Sequence, residues 1–268
     1  MIDIHCHVIP GIDDGAYDMG EAMEMLREAN EAGFAEIIAT PHTSSSKRDP
    51  RTQSIKARLA ELLARASEDQ TASRVRVTAG AEIMLDPDTL PLLEAGELPT
   101  WGAGRKHVLV EFPMIAIPPY AEGCIFGLSA QGYTPVLAHP ERNHELSQKL
   151  DVILRFIQMG AAMQIDAGSL AGAYGPIARE SAMMVVRHRM CHFIASDAHH
   201  PGNISRVMNR AQSEVSKILE AEDTEALFGG NARSVMAGER VSYPAPIPAS
   251  ERETRRTRGR GLFSFGRR

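Results

Sequence analysis

The chain has only three cysteines, Cys6, Cys124 and Cys191, and their spacing pairs none of them. That excludes a disulfide framework and suits a reducing cytoplasm. No apolar run reaches the ~18–20 residues that a membrane span needs. The N-terminus, Met1-Ile2-Asp3-Ile4-His5, lacks the basic and apolar regions of a signal peptide. Neither G-x-G-x-x-G nor G-x-x-x-x-G-K-[ST] occurs, which removes the usual nucleotide-binding signatures of open α/β sheets.

What is present is ordinary in bulk and uneven in charge. The 268 residues fit one sizeable α/β domain with a substantial core. The formal charge is −5, but seven arginines and two glutamates fall between Ser250 and Arg268, a net of +5 that leaves −10 for the residues before them. Pro244-Ala-Pro246-Ile-Pro248 punctuates the change. We therefore expect a globular domain over 1–240 and a disordered, Arg-rich appendage over 241–268. An acidic body makes nucleic acid a poor primary partner, whereas the tail suits an acidic protein or an anionic membrane surface.

Strand-like runs alternate with helical patterns. The strands are expected at about 2–7, 36–41, 75–81, 107–112, 134–138, 161–166 and 192–196. Helical segments lie between them at about 19–32, 51–68, 119–131, 148–159, 176–188 and 204–220, with a final short one at 223–237. Such alternation predicts parallel βα units, and hence a distorted (β/α)7, TIM-like barrel. An open doubly wound sheet is the alternative.

The strand ends carry the chemistry. His5 and His7 lie two apart on the first strand and share a face, with Cys6 turned away. The turn Gly11-Ile12-Asp13-Asp14-Gly15 follows and can swing Asp14 over the barrel rim. The second strand ends in Thr40-Pro41-His42, the third in Gly80-Ala81-Glu82 and the fourth in Val110-Glu111-Phe112. The fifth delivers His139, Glu141 and Arg142, and the seventh Asp197 and His199. The sixth ends in Gln164-Ile165-Asp166, which suits support of ligands rather than ligation. By contrast, His107 and His192 start strands and His188 closes a helix, positions that predict structural or solvated roles. His144 and His200 default to surface loops.

His5, His7, Asp14, His42, Glu82, Glu111, His139, Asp197 and His199 are too many ligands for one ion, since zinc usually takes about four. With bridging carboxylates they suit two or three. Imidazole and carboxylate without thiolate favour manganese, iron or zinc. Coordination lowers the pKa of water toward about 7, which makes a metal-activated water the natural nucleophile. Arg142, from the same loop as His139, is the expected clamp for an anionic substrate oxygen. A salt bridge to Glu141 or Asp166 is its other reading.

Taken together, these segments resemble the PHP (polymerase and histidinol phosphatase) superfamily. More narrowly they are similar to the manganese-dependent protein-tyrosine phosphatases of bacterial capsule and exopolysaccharide loci. The resemblance runs from Ile2 to about residue 236. It rests on Asp3-Ile4-His5-Cys6-His7, Gly11-Ile12-Asp13-Asp14-Gly15, Ala39-Thr40-Pro41-His42, Gly80-Ala81-Glu82, Val110-Glu111-Phe112, His139-Pro140-Glu141-Arg142 and Ser196-Asp197-Ala198-His199. It implies a trinuclear Mn²⁺ centre. His5, His7, Glu82 and Asp197 would surround one ion. Glu111 and His139 would hold a second, sharing Glu82, and Asp14, His42 and His199 a third. Arg142 would grip the phosphoryl group. The implied substrate is phosphotyrosine on a cognate bacterial tyrosine kinase whose cycle controls polysaccharide export. Relatives often follow the Ser-Asp-Ala-His element with substrate-binding arginines; here His200-Pro201-Gly202-Asn203-Ile204-Ser205-Arg206 stands there, and Arg206 is the candidate.

Other readings remain open on sequence. A different phosphoesterase, such as a histidinol phosphatase or a phosphodiesterase, would use nearly the same metals, so the loops at 43–50 and 113–119 must discriminate. A metal-binding barrel without activity is a further alternative. The residues six after each cysteine are Ile12, Ala130 and Asp197, so the C-x5-R of thiol phosphatases is absent. An amidohydrolase would want a bridging lysine where Glu111 stands. The oligomeric state is open.

Overall fold

A computed structural model describes residues 1–44, 50–239, 241 and 243–248. Its strand segments are β1 (Ile2–Cys6), β2 (Glu36–Ala39), β3 (His42–Ser44), β4 (Arg76–Ala79), β5 (Glu82–Met84), β6 (His107–Glu111), β7 (Thr134–Ala138), β8 (Ala162–Asp166) and β9 (Phe193–Ala195). The helices are α1 (Met19–Glu31), α2 (Pro50–Ala66), α3 (Thr89–Glu94), α4 (Ala121–Ala130), α5 (Leu150–Gln158), α6 (Ala167–Ala171), α7 (Gly175–Arg187), α8 (Ile204–Val215), α9 (Ala221–Glu225) and α10 (Asn231–Ala237).

Nine segments make seven strands, because two expected strands are each broken near their middle. Pro41 has no N–H for the ladder and separates β2 from β3. Gly80 separates β4 from β5, and a Cβ there would lie 2.7 Å from Ile38 Cγ2, so only glycine allows this approach. The lower halves pair as β1-β2-β4 and the upper halves as β3-β5-β6-β7-β8-β9, every ladder parallel. The last strand meets the first through a Cys6–Ala198 bridge, with His7 N donating to Ala198 O at 2.9 Å and Asp197 N to His5 O at 3.0 Å. The order is thus that of a seven-stranded ring. Among the described residues no ladder joins β4 to the start of β6.

One irregularity decides where the first histidines point. Asp3 pairs with Ile37 but Cys6 with Ala39, so β1 carries one extra residue and a bulge at Ile4–His5. Ile2 and Ile4 face the barrel interior with Ile38, Leu109, Val136, Ala162 and Phe193. Past the bulge the alternation flips, so that Cys6 packs outward and His5 and His7 turn inward, above that apolar plug. A regular strand would have aimed them at the helices.

Helix α1 forms as its sequence predicts. Asp18 caps it by accepting from Glu21 N, and Ala22, Met23, Met25, Leu26 and Ala29 bury one face. The expected domain boundary at 241 lies short of the last packed residues. Tyr243 sits edge-on to His192 at 4.5 Å, and Ile247 N donates to His188 O at 2.8 Å. The tail expected to be disordered begins within this packed segment, and its residues 249–268 lie outside the described ones. Loop 43–50 likewise falls largely outside them. No described helix is long and apolar enough to cross a membrane.

Candidate metal centre

The nine expected ligands converge at the C-terminal ends of the strands in three overlapping groups. His5, His7, Glu82 and Asp197 form one, all buried; His7, Asp14, His42 and His199 another; His42, Glu82 and Glu111 the third. Within each, the ligand atoms lie within 4.8 Å of one another. His139 joins through Nε2, 2.8 Å from Glu82 Oε1. Glu82 is the hub, because its other oxygen lies 3.1 Å from His5 Nε2 and 3.0 Å from His42 Nδ1. All nine residues singled out from the sequence thus stand together at one end of the strands.

Hydrogen bonds from behind fix which nitrogen each ring offers. Asp13 Oδ2 accepts from His7 Nδ1 at 2.7 Å, and Gln164 Oε1 from His5 Nδ1 at 2.9 Å. The Asp197 carbonyl accepts from His199 Nδ1 at 2.9 Å, and Glu111 Oε1, itself a member of the third group, from His42 Nδ1 at 3.1 Å. Each arrangement leaves Nε2 with a free lone pair turned to the centre. A neutral imidazole has one lone pair, so His7 and His42 each serve one ion. His42 Nε2 and His199 Nε2 both stand 3.6 Å from Asp14 Oδ1.

The donors suit cations rather than one another. His5 Nε2 and His7 Nε2 face each other at 3.1 Å, lone pair to lone pair. Glu82 Oε2 and Asp197 Oδ1 are buried and find no hydrogen-bond donor, although imidazoles lie within 3.4 Å of both. Ligands about 2.1 Å from one ion stand roughly 3.0–3.4 Å apart in octahedral or tetrahedral arrangement. Orphaned buried carboxylate oxygens at that spacing are what a divalent metal would satisfy.

Charge alone already strains this assembly. Burial disfavours the protonated form of His139, but the neighbouring Glu82 outweighs it and raises the pKa to about 9. His5 and His7 are also raised against burial, His5 chiefly by Glu82 and Asp197 and His7 first by Asp13. Burial would raise Glu82, yet His5 and His139 hold it well below the usual carboxylate range. Protons on these histidines compete with metal, so binding must release them. Backbone strain marks the same place: His139 and Asp197 have φ of 32° and 48°, in the left-handed region.

Residues 1–237 match the CpsB/CapC family of capsular polysaccharide synthesis. The chain belongs to that family. YwqE of Bacillus subtilis (strain 168), a tyrosine-protein phosphatase, is 32% identical over 256 residues, covering 94% of this chain and 98% of its own. CapC of Staphylococcus aureus, a putative tyrosine-protein phosphatase, is 31% identical over 246 residues, 92% of this chain and 95% of its own. The crystal structures of YwqE and of CpsB from Streptococcus pneumoniae, described as unique metal-dependent tyrosine phosphatases, give a TM-score of 0.86 over 94% of this chain and 100% of the matched one. A histidinol phosphate phosphatase from Lactococcus lactis shares the fold alone, with a TM-score of 0.50 at 11% identity over 81% of this chain and 93% of its own.

In this CpsB/CapC chain Arg142 stands beside the cluster. Its Nη1 lies 2.6 Å from Asp197 Oδ2 and 3.3 Å from Asp166 Oδ2, and its guanidinium stacks 4.1 Å from the Tyr174 ring. The salt-bridge reading thus holds for Asp166, and Asp197 is the nearer partner. Burial and the charges of Asp197 and Glu141 push Asp166 up to about 8. Arg206 is different. It is exposed on the first turns of α8, bonds Asn203 Oδ1, and lies in none of the ligand groups.

A small pocket of about 200 Å³ opens beside Asp197 and His199, walled by Tyr174, Ala173, Ile204 and Val207. A larger cavity of about 1000 Å³ lies in the barrel wall by Trp101 and Lys56 and contains none of the ligands, so its size does not make it the site of chemistry. Sequence reasoning missed Asp13, Tyr174 and Asn143. Asp13 stood in plain view within the Asp13-Asp14 pair, but nothing in the pattern says which of the two supports His7. The control histidines sit as expected: His192 Nδ1 accepts from Met163 N at 3.0 Å, and His107 packs on Trp101. Cys6 is fully buried, and burial raises its thiol well above the usual value.

Proposed function

We propose that this chain is a metal-dependent phosphatase that hydrolyses phosphotyrosine on proteins, with a bacterial tyrosine kinase as its physiological substrate and capsule or exopolysaccharide synthesis as the process controlled. The observation that carries the reading is the convergence of His5, His7, Glu82 and Asp197 next to the Arg142 guanidinium. The names of the relatives support the substrate class, and their capsule loci support the process.

The lone-pair assignments favour one allotment of three ions. His5, His7, Glu82 and Asp197 would hold the first, Glu82, Glu111 and His139 the second, and Asp14, His42 and His199 the third. Manganese is the ion we assign, with iron and zinc compatible with the same donors. When bound, such ions lower the pKa of water and neutralise phosphoryl oxygens.

The remaining work belongs to the side chains. Asp13 and Gln164 hold the His7 and His5 rings in place, so that ligand atoms need no reorganisation during turnover. Arg142 keeps N–H groups beyond those given to Asp197 and Asp166, and we assign them to the phosphoryl oxygens, where charge grows as the P–O bond breaks. Tyr174 stacks on that guanidinium and limits its motion. The departing tyrosyl oxygen belongs to a phenol of pKa about 10, so it needs less acid assistance than an alkoxide. Arg206, exposed beside the pocket, is assigned to the protein part of the substrate. The buried thiol of Cys6 takes no part.

Turnover of a phosphotyrosine peptide, histidinol phosphate and a phosphodiester, each with and without Mn²⁺, tests this reading. Metal-dependent hydrolysis concentrated on the peptide is expected. A preference for histidinol phosphate or the diester would overturn the substrate assignment.

A further inference from the structure

The loop after Glu111 is held in place, and Ile117 packs on the core, yet Met114 and Ile115 are presented to solvent. Ile115 is 78% exposed and Met114 44%. Ordinarily, exposed aliphatics on a loop need no explanation. These are unusual because the backbone that carries them is pinned. Asn143 Nδ2 donates to Pro113 O at 2.7 Å and to Ala116 O at 3.3 Å. His144 N donates to Met114 O and Ile117 N to Glu145 Oε2, both at 2.8 Å. Asn143 is itself only 4% exposed, and its Oδ1 accepts from Glu145 N and Leu146 N, so the buried amide is fully used. Pro113, Pro118 and Pro119 restrict the same stretch further.

The anchor for this loop is the segment that carries the chemistry. Asn143 follows Arg142 directly, and Pro113 stands two residues after Glu111. Met114 and Ile115 are thereby held against the 143–145 segment that directly follows Arg142, three and four residues beyond Glu111. Tyr174, 45% exposed, stacks on the guanidinium of Arg142, the residue before that anchor, and adds a second apolar surface there. A pre-ordered apolar surface gives up little conformational freedom on binding, so its burial goes into affinity. The continuity of this loop with Glu111 on one side and, through Asn143, with Arg142 on the other points to the substrate chain as what it meets.

We propose that the 113–117 loop docks the substrate polypeptide beside its phosphotyrosine and selects apolar side chains at the flanking positions. The proposal rests on the phosphotyrosine reading above and adds its sequence preference. Neither the metal ligands nor Arg142 depends on Met114 or Ile115, so docking and chemistry are separable in one protein.

The test uses the full chain loaded with Mn²⁺, as wild type and as the Met114→Ser/Ile115→Ser double variant. Three substrates are compared: p-nitrophenyl phosphate, a phosphotyrosine peptide with leucines flanking the phosphotyrosine, and the same peptide with serines there. Wild type should show a KM roughly tenfold lower for the leucine peptide, the difference that burial of one to two aliphatic side chains supports. The double variant should lose that difference by raising KM on the leucine peptide alone, with kcat and p-nitrophenyl phosphate turnover unchanged. Equal KM values for the two peptides on wild type would overturn the proposal, and so would an unchanged ratio in the variant. A variant that alters the oligomeric state in size-exclusion chromatography while leaving the peptide ratio intact would assign the surface to a second copy instead. No turnover of any of the three would overturn the phosphatase reading itself, and the docking with it.

Discussion

Asp197 stands between the candidate metal ligands and the arginine: Oδ1 lies 3.1 Å from His5 Nε2, and Oδ2 lies 2.6 Å from Arg142 Nη1. One carboxylate thus ties the position of the guanidinium to the position of the candidate histidine ligands. His5 and His139 hold its pKa far below the ordinary carboxylate range even though burial pulls the other way.

Arg142→Ala should keep the metal complement and lose rate. Removing a donor aimed at developing charge costs roughly 10²–10³ in kcat. Arg142→Lys should recover little, because a point charge lacks the planar fork that spans Asp197 and a phosphoryl oxygen. Metal analysis of both variants alongside turnover separates the outcomes. Loss of metal in Arg142→Ala would make the residue a support for Asp197 and nothing more.

Asp13→Ala removes no proposed ligand, yet it frees the His7 ring and the amide of His42, which donates to the same Oδ2 at 2.7 Å. Losing a partner of this kind typically weakens metal affinity about 10–100-fold. Activity should therefore fall at limiting Mn²⁺ and return when the metal is in excess. A defect that excess metal leaves untouched would argue against a positioning role.

Chelation should abolish activity and lower the melting temperature together. A ligand present at about 100 times its Kd stabilises the fold by roughly 2.7 kcal/mol. Differential scanning calorimetry with and without a chelator checks this. Identical melting curves would mean that the clusters hold nothing in solution.

His192 predicts a separate acid sensitivity. Burial lowers its pKa from 6.5 to about 4, and its Nδ1 accepts the Met163 amide, so the fold requires the neutral ring. The unfolded chain binds the proton more readily, so this contribution is complete above about pH 6.5 and is lost as pH falls toward 4. Its upper bound is roughly 3 kcal/mol. His192→Asn keeps an acceptor near Nδ1 and cannot titrate. Urea midpoints at pH 7.5 and 5 should differ less for that variant than for wild type; equal differences would remove His192 from the account.

Much of this site was legible because strand ends are punctuated. Pro41, Gly80 and Pro140 mark where backbone pairing stops, and His42, Glu82 and His139 stand beside them. The parallel ring also followed from alternating patterns. What could not be read was the geometry that depends on partners far away in sequence. The bulge that turns His5 inward shows only against Ile37 and Ala39 of β2. Asn143 looks like any polar loop residue until Pro113 and Ala116 are beside it. For Arg142 a salt bridge to Glu141 or Asp166 stood beside the substrate clamp, but its nearer partner, Asp197, is brought in only by the last strand. The packed Tyr243 and Ile247 were hidden for the same reason, since proline spacing signals a boundary but not what the segment lies against.

The ring closure between β1 and β9 has a consequence for assembly. His5 lies on the first strand and His7 just past it, and Asp197 and His199 follow the last. During synthesis the opening residues of the chain are made first, but their group of four candidate ligands stays incomplete until Asp197 has left the ribosome. On the proposed allotment, tight metallation would therefore be a late step that waits for the seventh strand.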